Sequence, residues 1–165
     1  MKQDTQNILH HWREAVPNDR MAHLIRDTER AFRRALQLRL AAHGVPFGHW
    51  AFLRILWEAD GLTQKELSQR AGVMEPTTFT AMKAMEAQGY ITRSQIPTNK
   101  KNVYVHLTDA GRALKKKLVP LAEETNKISV AGLATKDVVA ARNVLLSMLV
   151  NLAQDETAEA KLRSN

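Results

Sequence analysis

The sequence predicts a mainly α fold with one small β-hairpin: a helix-turn-helix, the hairpin directly after it, and long amphipathic helices on either side. Three observations predict it. Leu62 to Gln88 holds two short helical segments around a single glycine, each with its own start signal. Val103, Val105 and Leu107 alternate with Tyr104 and His106, the period of a half-buried strand. Apolar residues recur at helical spacing over residues 19–42, 109–131 and 136–153, too regularly for loops.

The central pair is the best-marked element. Thr63 is an N-cap with Glu66 three residues later, a reciprocal pair that satisfies orphan backbone donors, and Leu62 and Leu67 occupy the staple positions. Gly72 ends the first helix by tolerating the left-handed conformation. Pro76 opens the second at its first position, where a missing N–H costs nothing. That helix runs to Gln88 and stops at Gly89. A helix pair with so short a connection is a DNA-reading shape, its second member usually lying in the major groove.

Before it, Asn18 caps a helix to about Ala42 with Met21, Leu24, Ile25, Phe32, Ala35 and Leu36 as its apolar side, and Gly44 and Pro46 interrupt. Phe47 to Ala59 forms the next helix, with Phe47, Trp50, Phe52 and Trp57 among its leucines. Phe52 and Trp57 read as core. Trp50, beside His49 and one turn from Arg54, could instead present a ring to an aromatic acid. After it, Ile91–Ser94 and Val103–Leu107 pair as strands around a polar loop, Gln95–Asn102. Thr108 caps a helix carrying Leu114, Leu118, Leu121, Thr125 and Ile128, which Pro120 should kink. Gly132 breaks it, Thr135 caps again, and Val138, Ala141, Leu145, Met148, Leu149 and Leu152 form the last apolar face. The charged end from Asp155 should fray.

Composition narrows the function. The chain has 165 residues, a formal charge of +7 and no cysteine, which excludes disulfides, thiolate metal sites and thiol redox sensing. No apolar run is long enough to span a bilayer, and Met1–Asn7 is polar, so a cytoplasmic protein is expected. Gly61–Val119 carries ten Lys and Arg against four Asp and Glu, a net of +6 on the element shaped like a DNA reader. Such a surface suits a polyanion, because each neutralised phosphate releases a counterion; it is also what a solvated basic face looks like. Six histidines are present, but none has a ligand-like spacing, and adjacent His10 and His11 do not share a helix face. No metal site and no cofactor is expected. Without a glycine-rich phosphate loop, a nucleophile–base set or paired carboxylates, the chain is not read as an enzyme.

On the second central helix Thr78, Phe79, Met82 and Met85 should pack inward, leaving Pro76, Thr77, Thr80, Lys83 and Ala84 outside. The expected DNA contacts are Pro76, Thr77, Thr80 and Lys83 from this helix, Gln64 and Lys65 from the first, and Asn99, Lys100 and Lys101 at the hairpin tip. With no outward Arg, Asn or Gln on that helix, specificity should come largely from backbone contacts, shape and the tip.

Leu62-Thr63-Gln64-Lys65-Glu66-Leu67, Ala71-Gly72-Val73, Met85-Glu86-Ala87-Gln88-Gly89-Tyr90-Ile91 and Val105-His106-Leu107-Thr108-Asp109-Ala110-Gly111 together resemble the multiple-antibiotic-resistance regulator (MarR) family over roughly residues 20–152. The resemblance implies a winged helix-turn-helix flanked by long dimerisation helices. It also implies a homodimeric repressor on double-stranded DNA, released by small aromatic anions bound between those helices and the reader. Residues 1–18 are then an N-terminal arm, 19–46 and 109–155 the helical dimerisation region, 47–108 the DNA-binding region and 156–165 a charged tail. The family's wing commonly carries Asp-x-Arg, and Asn99, Lys100 and Lys101 stand at the matching positions, so that Asp–Arg brace is missing.

The expected effector residues are His49, Trp50 and Arg54, with His23, Arg26 and Arg30 as anion partners, for an aromatic acid or its coenzyme A thioester. The alternatives are a ligand-blind DNA-binding or architectural protein and a metal-responsive regulator.

Overall fold

The computed structural model describes residue 6, residues 21–96 and residues 99–163, with backbone alone for 96 and 99–101. Apart from residue 6, the arm at 1–18, with His10, His11, Trp12 and the Asn18 cap, lies outside the described residues. In order come α1 (Met21–Ala41), α2 (Phe47–Glu58), β1 (Leu62–Thr63), α3 (Gln64–Ala71), α4 (Glu75–Ala87), β2 (Ile91–Ile96), β3 (Asn99–Leu107), α5 (Asp109–Ser129) and α6 (Thr135–Arg163). The chain divides into two compact units, residues 1–125 and 126–165. Among the described residues no helix is long and apolar enough to cross a membrane.

In the first unit, an antiparallel sheet of order β1-β3-β2 closes one side of the helix pair. Leu62 lies opposite Val105, and Ile91 opposite Leu107. Those four residues are buried and face Leu53, Leu56, Leu67, Met82 and Met85. The core continues through Leu36 and Leu40 of α1 and Leu118 of α5. The hairpin is longer than the sequence implied. Its strands extend through most of the expected loop, with a register shift at Gln95/Ile96. Strand β1 was not legible at all, because two residues carry no period and exist as a strand only through β3.

Most helix boundaries follow their signals. Gly44 and Gly89 take positive φ after α1 and α4. Thr108 Oγ1 accepts from the Gly111 amide at 3.1 Å, capping α5 as expected. Three local readings need correction. Glu75 precedes Pro76 inside α4, whose N-cap is Met74, so the proline sits second rather than first. Thr135 lies within α6, and Ala134 takes the cap position, its carbonyl accepting from the Asp137 and Val138 amides. The segment after Asp155 does not fray in this structure: α6 runs to Arg163.

The second unit is dominated by α6, where Val144, Leu145, Leu149 and Leu152 are all exposed. Pro120 is accommodated inside α5, which continues unbroken as a helix to Ser129.

Candidate nucleic-acid interface

The helix pair is held by local bonds before any packing is counted. Thr63 Oγ1 accepts from the Glu66 amide at 3.2 Å, and Glu66 Oε2 accepts from the Thr63 amide at 2.8 Å. The Thr63 hydroxyl and then its amide hold the Glu66 carboxyl below its ordinary value. At the far end Gly72 adopts φ +64°, and Ser68 Oγ donates to the Val73 carbonyl at 2.6 Å. The turn between α3 and α4 is thus tied from within, which fixes where α4 points.

Buried Thr78, Met82 and Met85 make the inward face of α4, while Thr77, Thr80 and Lys83 are exposed and Ala84 is half-buried. The Thr80 hydroxyl donates to the Pro76 carbonyl at 3.0 Å, which leaves its lone pairs to accept from a base amine. One inward assignment fails. Phe79 is 54% exposed, with the Arg93 guanidinium 5.8 Å from its ring centre. Residues 78, 82 and 85 already fill the inward stripe, and position 79 is turned about 100° away from 78.

Two grooves flank this helix. The first, of about 470 Å³, is lined by Gln64, Lys65, Glu75, Pro76, Phe79 and Thr80, and so brings together four of the expected DNA residues from α3 and α4. Gln64 Nε2 is buried there without a partner. The second, of about 550 Å³, includes Pro46, Gly48 and His49 facing Pro76, Thr77, Thr80 and Ala84. The side chains of Asn99, Lys100 and Lys101 lie outside the described residues; their backbone opens β3.

The base of the hairpin carries ion pairs that the sequence reading missed. Arg93 of β2 meets Glu86 of α4 through Nη2 at 2.6 Å and Nε at 2.9 Å, and its amide donates to the same carboxylate. That guanidinium holds the Glu86 carboxyl below its ordinary value. Asp60 Oδ1 accepts from the Leu107 amide at 2.9 Å, and Oδ2 pairs with Arg112 Nη1 at 2.7 Å. The only sequence signal for either pair was opposite charge on both sides of a predicted turn or strand.

The six expected effector residues fall into different settings. Trp50 is 4% exposed and packs in the core, its ring edge-on to Trp57 at 5.7 Å. This corrects its assignment as a presented ring: at that exposure the indole has little surface to offer a ligand. His49 is buried, with Nδ1 3.1 Å from Gln88 Oε1. Burial lowers its pKa and the Gln88 bond opposes that. Arg54 and His23 are exposed, and Arg26 and Arg30 both lie near Asp27 on their own helix.

A helix pair, a tied turn and a braced hairpin in this order make a winged helix-turn-helix, and residues 48–103 match the model of the MarR family. That stretch is similar to the MarR family. Its relatives include the HTH-type transcriptional regulator TtmR of Methylorubrum extorquens, 35% identical over 88 residues, which are 53% of this chain and 45% of that protein. The chain spans about half the length of the curated relatives it matches. Among solved structures, a putative MarR-family regulator from Listeria monocytogenes complexed with a 26mer DNA superposes with a TM-score of 0.72 at 22% identity, covering 83% of this chain and 91% of that one. Bordetella bronchiseptica BpsR, described with regulation of its DNA binding by 6-hydroxynicotinic acid, gives 0.72 at 22% identity over 79% and 98%. These relatives are described as transcriptional regulators.

Proposed function

We propose that this chain is a DNA-binding transcriptional regulator that lays α4 in the major groove of a duplex. The observation carrying the reading is the outward face of α4, where Thr77, Thr80 and Lys83 stand exposed between two grooves on a segment of net charge +6. Gln64 and Lys65 of α3 are the phosphate contacts, and Asn99, Lys100 and Lys101 of the wing meet a phosphate or the minor groove. The protein acts as a homodimeric repressor on an inverted repeat. The exposed leucines of α6, and Met21, Leu24 and Ile25 on α1, support a second copy as their cover.

Release is assigned to a small aromatic acid or its coenzyme A thioester, favouring a head spacing that no longer matches the half-sites. His49 and Arg54 of α2 with His23, Arg26 and Arg30 of α1 are its polar partners. The acid regulating BpsR supports that ligand class. The burial of Trp50 favours a second reading, a ligand-blind DNA binder. A metal-responsive protein has less support, since no group of three His, Asp or Glu converges among the described residues.

The test is fluorescence anisotropy on duplex DNA from upstream of the gene, titrated with salt and then with aromatic acids and their thioesters. Regulation through DNA predicts a steep salt slope, reduced by about 1 in Lys65→Ala if that lysine neutralises a phosphate. Release by one acid and not its close analogues selects the sensor. Binding that no compound disturbs selects the ligand-blind protein, and salt-insensitive or absent binding to every duplex removes the reading.

A further inference from the structure

We infer that Phe79 reads a thymine by packing its ring against the 5-methyl group in the major groove. This rests on the DNA-binding reading above and deepens it by naming a base. A phenylalanine on a folded surface is ordinarily covered, yet this one is 54% exposed on the same helix as Thr80 and Lys83. It is also held. The Arg93 guanidinium lies over the ring at 5.8 Å, and that guanidinium is itself fixed by two bonds to Glu86. The ring therefore has one face occupied and a neighbour that restrains it, so ordering it on DNA costs little further entropy.

The groove in which it stands decides the kind of contact. Lys65, the phosphate contact of the reading above, and Glu75 both line it, so the groove sets one backbone contact beside a carboxylate that repels any further phosphate. Its remaining lining is apolar at Pro76 and Phe79, with an acceptor at the Thr80 hydroxyl. That is the chemistry of a base edge. Of the groups displayed in the major groove, the thymine methyl is the apolar one, and it is the partner phenylalanine takes there. Arg93 acts as a positioning residue.

The experiment enriches a pool of randomised duplexes on the full-length protein, then replaces each thymine of the selected duplex by uracil, which removes the methyl and nothing else. The expected result is a thymine under α4 whose replacement weakens binding about fourfold, the worth of one buried methyl-sized group. In Phe79→Ala that penalty disappears; in Phe79→Leu, which keeps an apolar side chain, part of it remains. Arg93→Ala reduces the penalty with Phe79 intact, a readout that loss of hairpin stability alone would not move. Circular dichroism confirms that each variant is folded. A selected duplex with no uracil penalty, or a penalty unchanged in Phe79→Ala, overturns the inference while leaving DNA binding in place. Failure to enrich any duplex overturns both.

Discussion

Asp60 and Arg112, 52 residues apart, meet at 2.7 Å and close the base of the hairpin onto α5. Arg112 Nη2 also donates to the Leu107 carbonyl at 2.7 Å, while Asp60 accepts from the Leu107 amide, so both backbone groups of one residue are held by one ion pair. The pair is partly exposed, and its charge attraction alone is worth at most about 1 kcal/mol. Leaving the Leu107 amide unpaired costs more. Asp60→Ala should lose about 1–3 kcal/mol, measured by urea unfolding.

The same carboxylate sets a pH dependence. Burial tends to raise its pKa, but the Leu107 amide, Arg112 and the Gly61 amide outweigh that and hold it below 3.8. Between that lowered value and 3.8 the unfolded chain binds more protons than the folded one, so stability rises with pH there. The contribution is complete above 3.8 and is lost as pH falls through the folded value. Asp60→Asn should flatten this part of the acid-unfolding profile.

His49 gives a second window. Its pKa lies below the ordinary 6.5, chiefly through burial. As pH drops below 6.5 the unfolded state takes up the proton first, and stability falls until the folded imidazole titrates. Thermal unfolding followed from pH 7 to about 5 should show the decline. His49→Gln should remove this component of it.

Gly111 carries a packing prediction. A Cβ there would run into the Tyr90 carbonyl oxygen and reach Leu107 Cδ2 at 3.1 Å. Backbone cannot step aside as a side-chain tip can, so Gly111→Ala should cost about 3 kcal/mol. Gly48→Ala is the contrast. Nothing lies within 4 Å of its added methyl, and it should be neutral or stabilising by up to about 1 kcal/mol.

The apolar face of α6 tests the dimer. Leu145, Leu149 and Leu152 recur at helical spacing and are 46%, 67% and 64% exposed. Sedimentation should find the wild type as a dimer and Leu145→Glu/Leu149→Glu as a monomer. Helicity within α6 should survive, because neither leucine is buried in the single chain.

Local signals were read well where the physics is local. The Thr63–Glu66 box and the Gly72 stop depend on atoms within a few residues, and both stand where the sequence put them. Phe79 was misread because helical spacing gives a face but not its width: three residues filled the stripe, and the fourth found its neighbour on β2. Trp50 was misread for a related reason, since composition places an aromatic near a histidine but does not say whether Trp57 covers it.

The sequence by itself determined the helix pair, its caps, the hairpin, the basic character of that segment and its resemblance to the MarR family. It could do so because capping, turn chemistry and periodicity act over one or two turns of chain. The tertiary structure alone decided that β1 exists, that Asp60 meets Arg112, that Arg93 clamps Phe79, and that Trp50 is core. Each of those is a contact between residues whose separation is set by how the elements pack, and no pattern of nearby residues encodes that distance.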